Sequence, residues 1–183
     1  MSRTERRISE MKNEGHAPQR HSADVTEQQL EDRALNGNDP ITGSTTDGVT
    51  GGTHGYSKHA TKFDSDKNML DADDHLRGHT DFDKAKSEAL DAGKTRFDLE
   101  RPLEEVFGPD YNSSVTGVSR GGSRKHPTGN PPGSKPSGPT DFENGTVVGV
   151  YEIAPDGSVN THIVSWIHRK TNELNYNYEN TKK

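Results

Sequence analysis

The chain of 183 residues contains no cysteine. This absence excludes disulfide bonds, thiolate catalysis and the zinc sites that depend on cysteine ligands. Long apolar runs are also missing, because none approaches the roughly 18 residues that a membrane-spanning helix needs. The N-terminal stretch MSRTERRISEM lacks the apolar segment of a signal peptide. We therefore expect no stable membrane insertion of this domain.

Hydrophobic residues are scarce, at 25% of the chain, and Leu, Ile, Val and Phe together number only 28. Such a composition is typical of disordered proteins when it is combined with a high net charge. The net charge here is only −6. We therefore expect one ordered domain over residues 13–183, with a small core and long loops, preceded by a tail over residues 1–12.

Positive charge is unevenly distributed along this acidic chain, whose sequence pI of about 5.8 argues against general nucleic-acid binding. Residues 112–140 are rich in Gly, Ser and Pro, and they contain Arg120, Arg124, Lys125 and Lys135. This composition predicts a flexible basic loop. Such a loop suits contact with a polyanionic backbone, although a solvated linker has the same composition.

Three helices are predicted in the first half of the chain. Thr26 followed by Gln29 has the spacing of a capping box. Asp and Ser residues in the segment 64–66 can cap a second helix, and Gly residues mark helix ends. The predicted helices run from Thr26 to about Leu35, from the 64–66 cap to Gly78, and from Thr80 or Asp81 to a point before Gly93.

The C-terminal part has the pattern of antiparallel strands. Pro155-Asp156-Gly157 is a turn signal between two β-rich runs and predicts a hairpin. Leu174, Tyr176 and Tyr178 alternate and predict a third strand, whereas 99–107 suggests a short helical turn. With a short strand in 56–63, the fold class is α+β: an N-terminal helical layer packed on a C-terminal antiparallel β-sheet, with long Gly/Pro-rich loops.

Four segments together resemble a known group of bacterial proteins. They are GHAPQRH at residues 15–21, the helix ending in LEDR, the strand KHATKF and the terminal hairpin. The combination resembles the C-terminal toxin domains of bacterial polymorphic toxin systems of the contact-dependent inhibition type. Within that group it is most similar to ribonuclease toxins, either ribonuclease A-like or barnase/EndoU/colicin-like.

The ribonuclease A-like toxins carry a Gly-His pair, a second His a few residues later and an Arg that ends the next helix. Gly15-His16, His21 and Arg33 fit this outline, with one extra residue between the second His and the Arg. The family also has a Thr and a Tyr on its last strands, and Ser165 and Tyr176 are the nearest candidates for them.

The resemblance implies a function in inter-bacterial competition. It implies a toxin endoribonuclease that cleaves RNA, possibly tRNA, through a cyclic phosphate and without a metal or another cofactor. It further implies secretion or delivery from the producing bacterium, action in the cytoplasm of the target cell, and a cognate immunity protein. We expect the immunity protein to dock at the basic loop and the active cleft.

Metal-free RNA cleavage requires a general base, a general acid and a cation for the phosphorane charge. Histidine serves either proton role, and Arg or Lys can supply the cation. His21 and Arg33 are therefore the central candidates. The full set of catalytic candidates is His21, Arg33, His16, His59, Lys62, Ser165 and Tyr176.

Substrate-binding candidates come from three segments. Lys58 and Lys62 share one face of the predicted strand, either to meet a phosphate or to guard an exposed strand edge. On the last strand, Ile163 and Ile167 are expected to face the helices, which would turn Trp166 outward to stack on a base. The full set is Lys58, Arg120, Arg124, Lys125, His162 and Trp166.

Two alternatives remain open at the level of sequence. His75 and His79 are four residues apart beside several aspartates, a pattern that a metal-dependent nuclease would use, although Gly78 lies between them. The other alternative is a non-enzymatic binding or delivery module, in which the histidines have no catalytic role.

Overall fold

The computed structural model describes residues 1–54, 59–123, 125–129 and 145–168. Helices dominate the first half of these ranges, and strands dominate the second half. The helices are α1 (Arg3–Glu14), α2 (Ala17–His21), α3 (Glu27–Asn36), α4 (Asp66–Gly78), α5 (Thr80–Asp91) and α6 (Leu103–Phe107), with one 3-10 turn at Tyr111–Ser113. The strands are β1 (His59–Phe63), β2 (Arg96–Pro102), β3 (Val115–Ser119), β4 (Gly121–Gly122), β5 (Pro127–Thr128), β6 (Gly145–Ile153) and β7 (Val159–His168).

The α+β fold class is confirmed. Helices of the N-terminal half pack against an antiparallel sheet of strand order β2-β6-β7, in which β6 and β7 form the predicted hairpin. Apolar side chains of α1, α4 and α5 meet apolar side chains of the sheet in one core. Within the described ranges, no helix is both long enough and apolar enough to span a membrane.

The three predicted helices are present with the expected ends. Thr26 and Gln29 form the capping box of α3, and Gly37 ends this helix in the left-handed conformation at a φ of 71°. Ser65 caps α4 through its side chain, and α5 begins at Thr80. Local capping chemistry alone therefore defines these boundaries.

The N-terminal segment, which we expected to be a tail, forms α1. Ser2 and Glu5 make a capping box at its start. Ile8 and Met11 are three residues apart and therefore share one helix face, and both are buried in the core. These two apolar residues, with the contacts of Arg7 and Glu14 to Thr161, anchor the helix.

Four strands lie where the sequence suggested other structure: β2 in the expected helical turn, and β3, β4 and β5 in the expected basic loop. The segment expected to begin a helical turn at Leu99 is instead β2, whose Phe97 and Leu99 alternate into the core before α6 begins at Leu103. The expected basic loop begins with β3, whose Val115 pairs with Phe63 of β1. The third strand predicted from Leu174, Tyr176 and Tyr178 lies outside the described residues.

The β1–β3 pair connects α3 to the main sheet. On one side, Val25, Leu30 and Ala34 pack with Ala60 and Val118 as a second small core. On the other side, the Thr61 hydroxyl donates a hydrogen bond to the Trp166 carbonyl oxygen. The indole Nε1 of Trp166 in turn donates to the Lys62 carbonyl oxygen at 2.9 Å. Through these contacts, β1 is in contact with both α3 and β7.

Candidate active site

The short helix α2 carries the GHAPQRH segment into the interior. His16, Arg20 and His21 are all buried, and α2 contacts both β1 and β7. The Nδ1 atom of His21 lies 3.0 Å from the Thr61 carbonyl oxygen. Because a carbonyl oxygen only accepts hydrogen bonds, Nδ1 carries the proton in this contact. In the neutral ring, Nε2 of His21 is therefore a proton acceptor.

Burial keeps both histidines of this segment neutral. Burial, followed by the positive charge of Arg33, lowers the pKa of His21 to about 3. Burial, followed by the charges of Arg20 and His162, lowers the pKa of His16 to about 4. At neutral pH both rings are therefore unprotonated, which is the form that a general base has before it accepts a proton.

His16 lies against an irregularity in β7. Val150 pairs with Ile163 while Tyr151 pairs with Thr161, so His162 is an extra residue in the strand. Such a bulge redirects a side chain. The backbone N–H of His16 donates to the His162 carbonyl oxygen at 3.2 Å, and the two imidazole rings meet edge to face at 4.9 Å between centroids.

Arg33 makes no ion pair with any residue in the described ranges. Its Nε and Nη1 atoms are shielded from solvent and make no hydrogen bond with any residue that the structure describes. Burial and the nearby charge of Arg20 lower its pKa, which still leaves an arginine charged at neutral pH. A shielded donor left unpaired costs about 1–3 kcal/mol. An anion bound at Arg33 would remove that cost.

Arg20 has the partners that Arg33 lacks. Its Nε and Nη2 atoms donate to the two carboxylate oxygens of Asp39 at 3.2 and 2.7 Å. Nη2 also lies 3.0 Å from Oδ1 of Asp47. Both carboxylates pair directly with Arg20, whereas Arg33 makes no direct ion pair with a described residue and is attracted through the nearby charge of Asp39.

The other catalytic candidates have separate surroundings. The Nζ atom of Lys62 donates a hydrogen bond to the backbone carbonyl oxygen of Val25 at 2.8 Å. This bond stabilises the turn between α2 and α3. His59 lies 2.6 Å from the Ser119 hydroxyl through Nδ1, across the β1–β3 pair. Ser165 is buried on β7. Tyr176 lies outside the described residues.

The predicted orientation of Trp166 is wrong. Trp166 and Val164 are fully buried in the main core, whereas Ile163 and Ile167 are partly exposed. Val164 and Trp166 share one face and Ile163 and Ile167 the other, as predicted, but the core covers the face of Val164 and Trp166 and not that of the two isoleucines. Trp166 is thus a core residue and is not placed to stack on a base.

The other predicted substrate-binding residues divide into three groups. His162 is partly exposed beside His16, and its Nδ1 lies 3.6 Å from a carboxylate oxygen of Glu152. Arg120 is buried, with Nη1 directed at the backbone carbonyl of Ser123, whereas Lys125 is exposed. Lys58 and Arg124 lie outside the described residues.

The histidines of the metal alternative have other partners. The Nε2 atom of His75 lies 2.9 Å from a carboxylate oxygen of Glu105. His79 caps α5 by accepting a hydrogen bond from the backbone N–H of Asp81. Over the described ranges, no group of three or more His, Asp or Glu residues is arranged to hold a metal ion.

Sequence analysis missed three members of the cluster: Arg20, Asp39 and Asp47. Arg20 stands inside the GHAPQRH segment, but nothing in the sequence links it to two aspartates in a stretch with turn chemistry. Comparison with known proteins adds no further guide, because no family model, no curated protein and no solved structure matches the chain.

Proposed function

We propose that this chain is a metal-independent endoribonuclease toxin whose active site contains His16, His21 and Arg33. The observation that carries the proposal is Arg33, whose shielded, unpaired guanidinium nitrogens share one cluster with two neutral histidines. A phosphodiester supplies the anion that Arg33 lacks, and the histidines supply the proton transfers that its cleavage requires.

The proposed reaction begins at His21. Its Nε2 atom accepts the proton of a ribose 2′-hydroxyl, and the 2′-oxygen attacks the adjacent phosphorus. Arg33 stabilises the charge that develops on the phosphorane oxygens. The bond from phosphorus to the 5′-oxygen then breaks, and the products are a 2′,3′-cyclic phosphate and a 5′-hydroxyl.

His16 is the proposed general acid. It is neutral before substrate binds, because burial lowers its pKa. A bound phosphodiester brings a negative charge beside the ring, which favours the imidazolium and raises the pKa of His16 in the complex. His16 then donates its proton to the departing 5′-oxygen.

The biological setting of the proposal follows from the resemblance to polymorphic toxins. The toxin would be delivered from the producing bacterium into the cytoplasm of a competitor, and a cognate immunity protein would protect the producer. We expect that protein to cover the surface above His16, His21 and Arg33 and the basic segment that contains Lys125. A complex that leaves His16 and His21 open to RNA would contradict this arrangement.

The test is incubation of the purified protein with total bacterial RNA in EDTA, followed by a denaturing gel and analysis of the product ends. We expect fragments with cyclic phosphate ends from the wild type and from a His75→Ala control, whose histidine pairs with Glu105. We expect intact RNA from His21→Ala. Cleavage only after addition of divalent ions would indicate a metal-dependent nuclease. No cleavage under either condition would favour a binding module.

A further inference from the structure

Residues 38–53, here called the Asp loop, are folded around Arg20. Asp39 accepts hydrogen bonds from the backbone N–H groups of Ile41 and Gly48. Asp47 accepts from the backbone N–H groups of Val49 and Thr50. Both carboxylates also reach the guanidinium of Arg20. The loop conformation and the position of Arg20 therefore depend on the same two side chains.

The two aspartates differ in burial. The Asp39 side chain is fully buried, whereas that of Asp47 is 16% exposed. Loss of Asp39 would leave a buried Arg20 without its main partner, which is strongly destabilising. Asp47 makes a single contact with Arg20, at the solvent side of the pair. Its charge can therefore be removed with less damage to the fold.

We infer that Asp47 is a positioning residue of the active site, which holds Arg20 against Asp39 and so limits the affinity of the site for phosphate. This inference rests on the proposed function. With Asp47 in place, Arg20 is turned toward the loop and Arg33 is the cation offered to the substrate. The loop thus contributes to the reaction through Arg20 without touching the reacting atoms.

The charges around His16 show in which direction loss of the Asp47 charge would change phosphate binding and the pKa of His16. The charges of Arg20 and His162 lower the pKa of His16, whereas those of Asp47 and Asp39 raise it. Removal of the Asp47 charge makes the site more positive, which favours anion binding and lowers the pKa of His16 further. Among the described residues, the charged and titratable groups that act on His16 are Arg20 and His21 on α2, Asp39 and Asp47 on the Asp loop, and His162 on β7, and Arg33 on α3 acts on the neighbouring His21.

The experiment compares wild type, Asp47→Asn and Asp47→Ser in the full chain. Serine retains a hydroxyl that can accept the loop N–H groups, which provides a second variant if the amide disturbs the loop. The matched control is Asp98→Asn, an exposed carboxylate on β2. NMR follows the ring protons of His16 and His21 through a pH titration and through a titration with inorganic phosphate.

We expect both Asp47 variants to bind inorganic phosphate about fivefold more tightly than wild type and to show a lower pKa for His16. Asp98→Asn should have the phosphate affinity and the His16 pKa of the wild type. A merely structural role for Asp47 would weaken phosphate binding, so unchanged or weaker binding, or an unchanged pKa of His16, would overturn the inference. The Asp47 variants could bind phosphate more tightly while the wild type cleaves no RNA. That result would support the role of Asp47 and contradict only the ribonuclease proposal.

Discussion

Arg20 and Arg33 are two arginines of one site with opposite surroundings. Arg20 forms a bidentate pair with the buried Asp39, whereas the shielded nitrogens of Arg33 make no hydrogen bond with a described residue. A paired arginine stabilises the fold that surrounds it. An unpaired one lowers stability, and such a residue is expected where it serves substrate binding.

Replacement of the two arginines should therefore change stability in opposite directions. We expect Arg33→Met to raise the free energy of unfolding by about 1 kcal/mol, because it removes buried donors without partners. Arg20→Met should lower it by about 3–5 kcal/mol, because Asp39 would remain buried without its cation. Urea denaturation at neutral pH measures both. A loss of about 2 kcal/mol or more in Arg33→Met would identify Arg33 as a structural residue instead.

The buried histidines predict a particular dependence of stability on pH. The pKa values of His16 and His21 in the folded protein, about 4 and about 3, lie below the unfolded value of about 6.5. The unfolded chain therefore binds more protons as the pH falls below 6.5. The contribution of the neutral rings to stability is complete above that pH and is lost progressively toward pH 3, at up to about 1.4 kcal/mol per pH unit for each ring.

Urea denaturation at pH 7 and pH 5 tests this prediction, because the carboxylates do not yet change the free energy of unfolding in that pH range. Carboxylates with a lowered pKa, such as Asp39 and Glu14, lose their stabilising effect only below about pH 4.5. His21→Gln, whose amide can still donate to the Thr61 carbonyl, should show a smaller loss of stability than wild type between these pH values. Equal losses would mean that His21 is not buried as a neutral ring.

At the scale of elements, the contact between the start of α2 and β7 determines where His16 lies. A Cβ atom added at Gly15 would come within 2.0 Å of the His162 carbonyl oxygen. The backbone of Gly15 is extended, at a φ of −172°, so only this close approach requires glycine. The bulge at His162 and the glycine before His16 thus act together.

Gly15→Ala should separate α2 from β7. We expect a loss of about 1–3 kcal/mol in stability, from the clash with backbone, and a lower rate of RNA cleavage. Gly78→Ala is the matched control, because its Cβ would meet nothing within 4 Å and Ala favours a helix. Thermal unfolding of both variants measures the difference. Equal melting temperatures would contradict the proposed contact between α2 and β7.

Elements whose ends depend on local chemistry could be predicted from the sequence. The capping box of α3 and the turn of the β6–β7 hairpin are examples. Elements that depend on tertiary contacts could not: β3 lies in a Gly/Ser-rich segment and forms because Val115 and Val118 pack against β1 and α3. The bulge at His162 is likewise invisible in the sequence. The face of Trp166 was predicted wrongly because the two isoleucines of β7 were taken as its core residues.

The same distinction applies to the candidate site. His16, His21 and Arg33 were predicted from the resemblance, and the structure brings them into one cluster. The pairing of Arg20 with Asp39 and Asp47 was not predicted. It joins residues 19 and 27 positions apart through a loop without regular structure, so no periodicity marks it.

At the scale of the whole molecule, a buried polar network supplements the small apolar core. Asp73 of α4 is fully buried, and its Oδ1 accepts from the hydroxyls of Tyr151 and Thr161, both at 2.9 Å. Its Oδ2 accepts from Arg77 at 3.1 Å and from Arg7 at 3.4 Å. The carboxylate therefore joins α1 and α4 to β6 and β7, and burial, followed by the charge of this carboxylate, raises the pKa of the Tyr151 phenol.

Loss of Asp73 should weaken the contact between the helical layer and the sheet. We expect Asp73→Ala to lower the free energy of unfolding by about 3–5 kcal/mol, because Arg7 and Arg77 would lose a buried partner. Asp74→Ala, on the same helix but half-exposed and 3.6 Å from Arg3, should change it by about 0.5 kcal/mol or less. Urea denaturation measures both. A similar small change in the two variants would show that the network does not hold the layers together.

The most direct measurement of the central claim is the rate of RNA cleavage by Arg33→Met in EDTA, beside the wild type. This variant is expected to be folded and slightly more stable, so a loss of activity cannot come from unfolding. We expect the rate to fall about a hundredfold or more, because the phosphorane loses its cation. An Arg33→Met variant that is folded and cleaves RNA at the wild-type rate would contradict the assignment of this cluster as the active site.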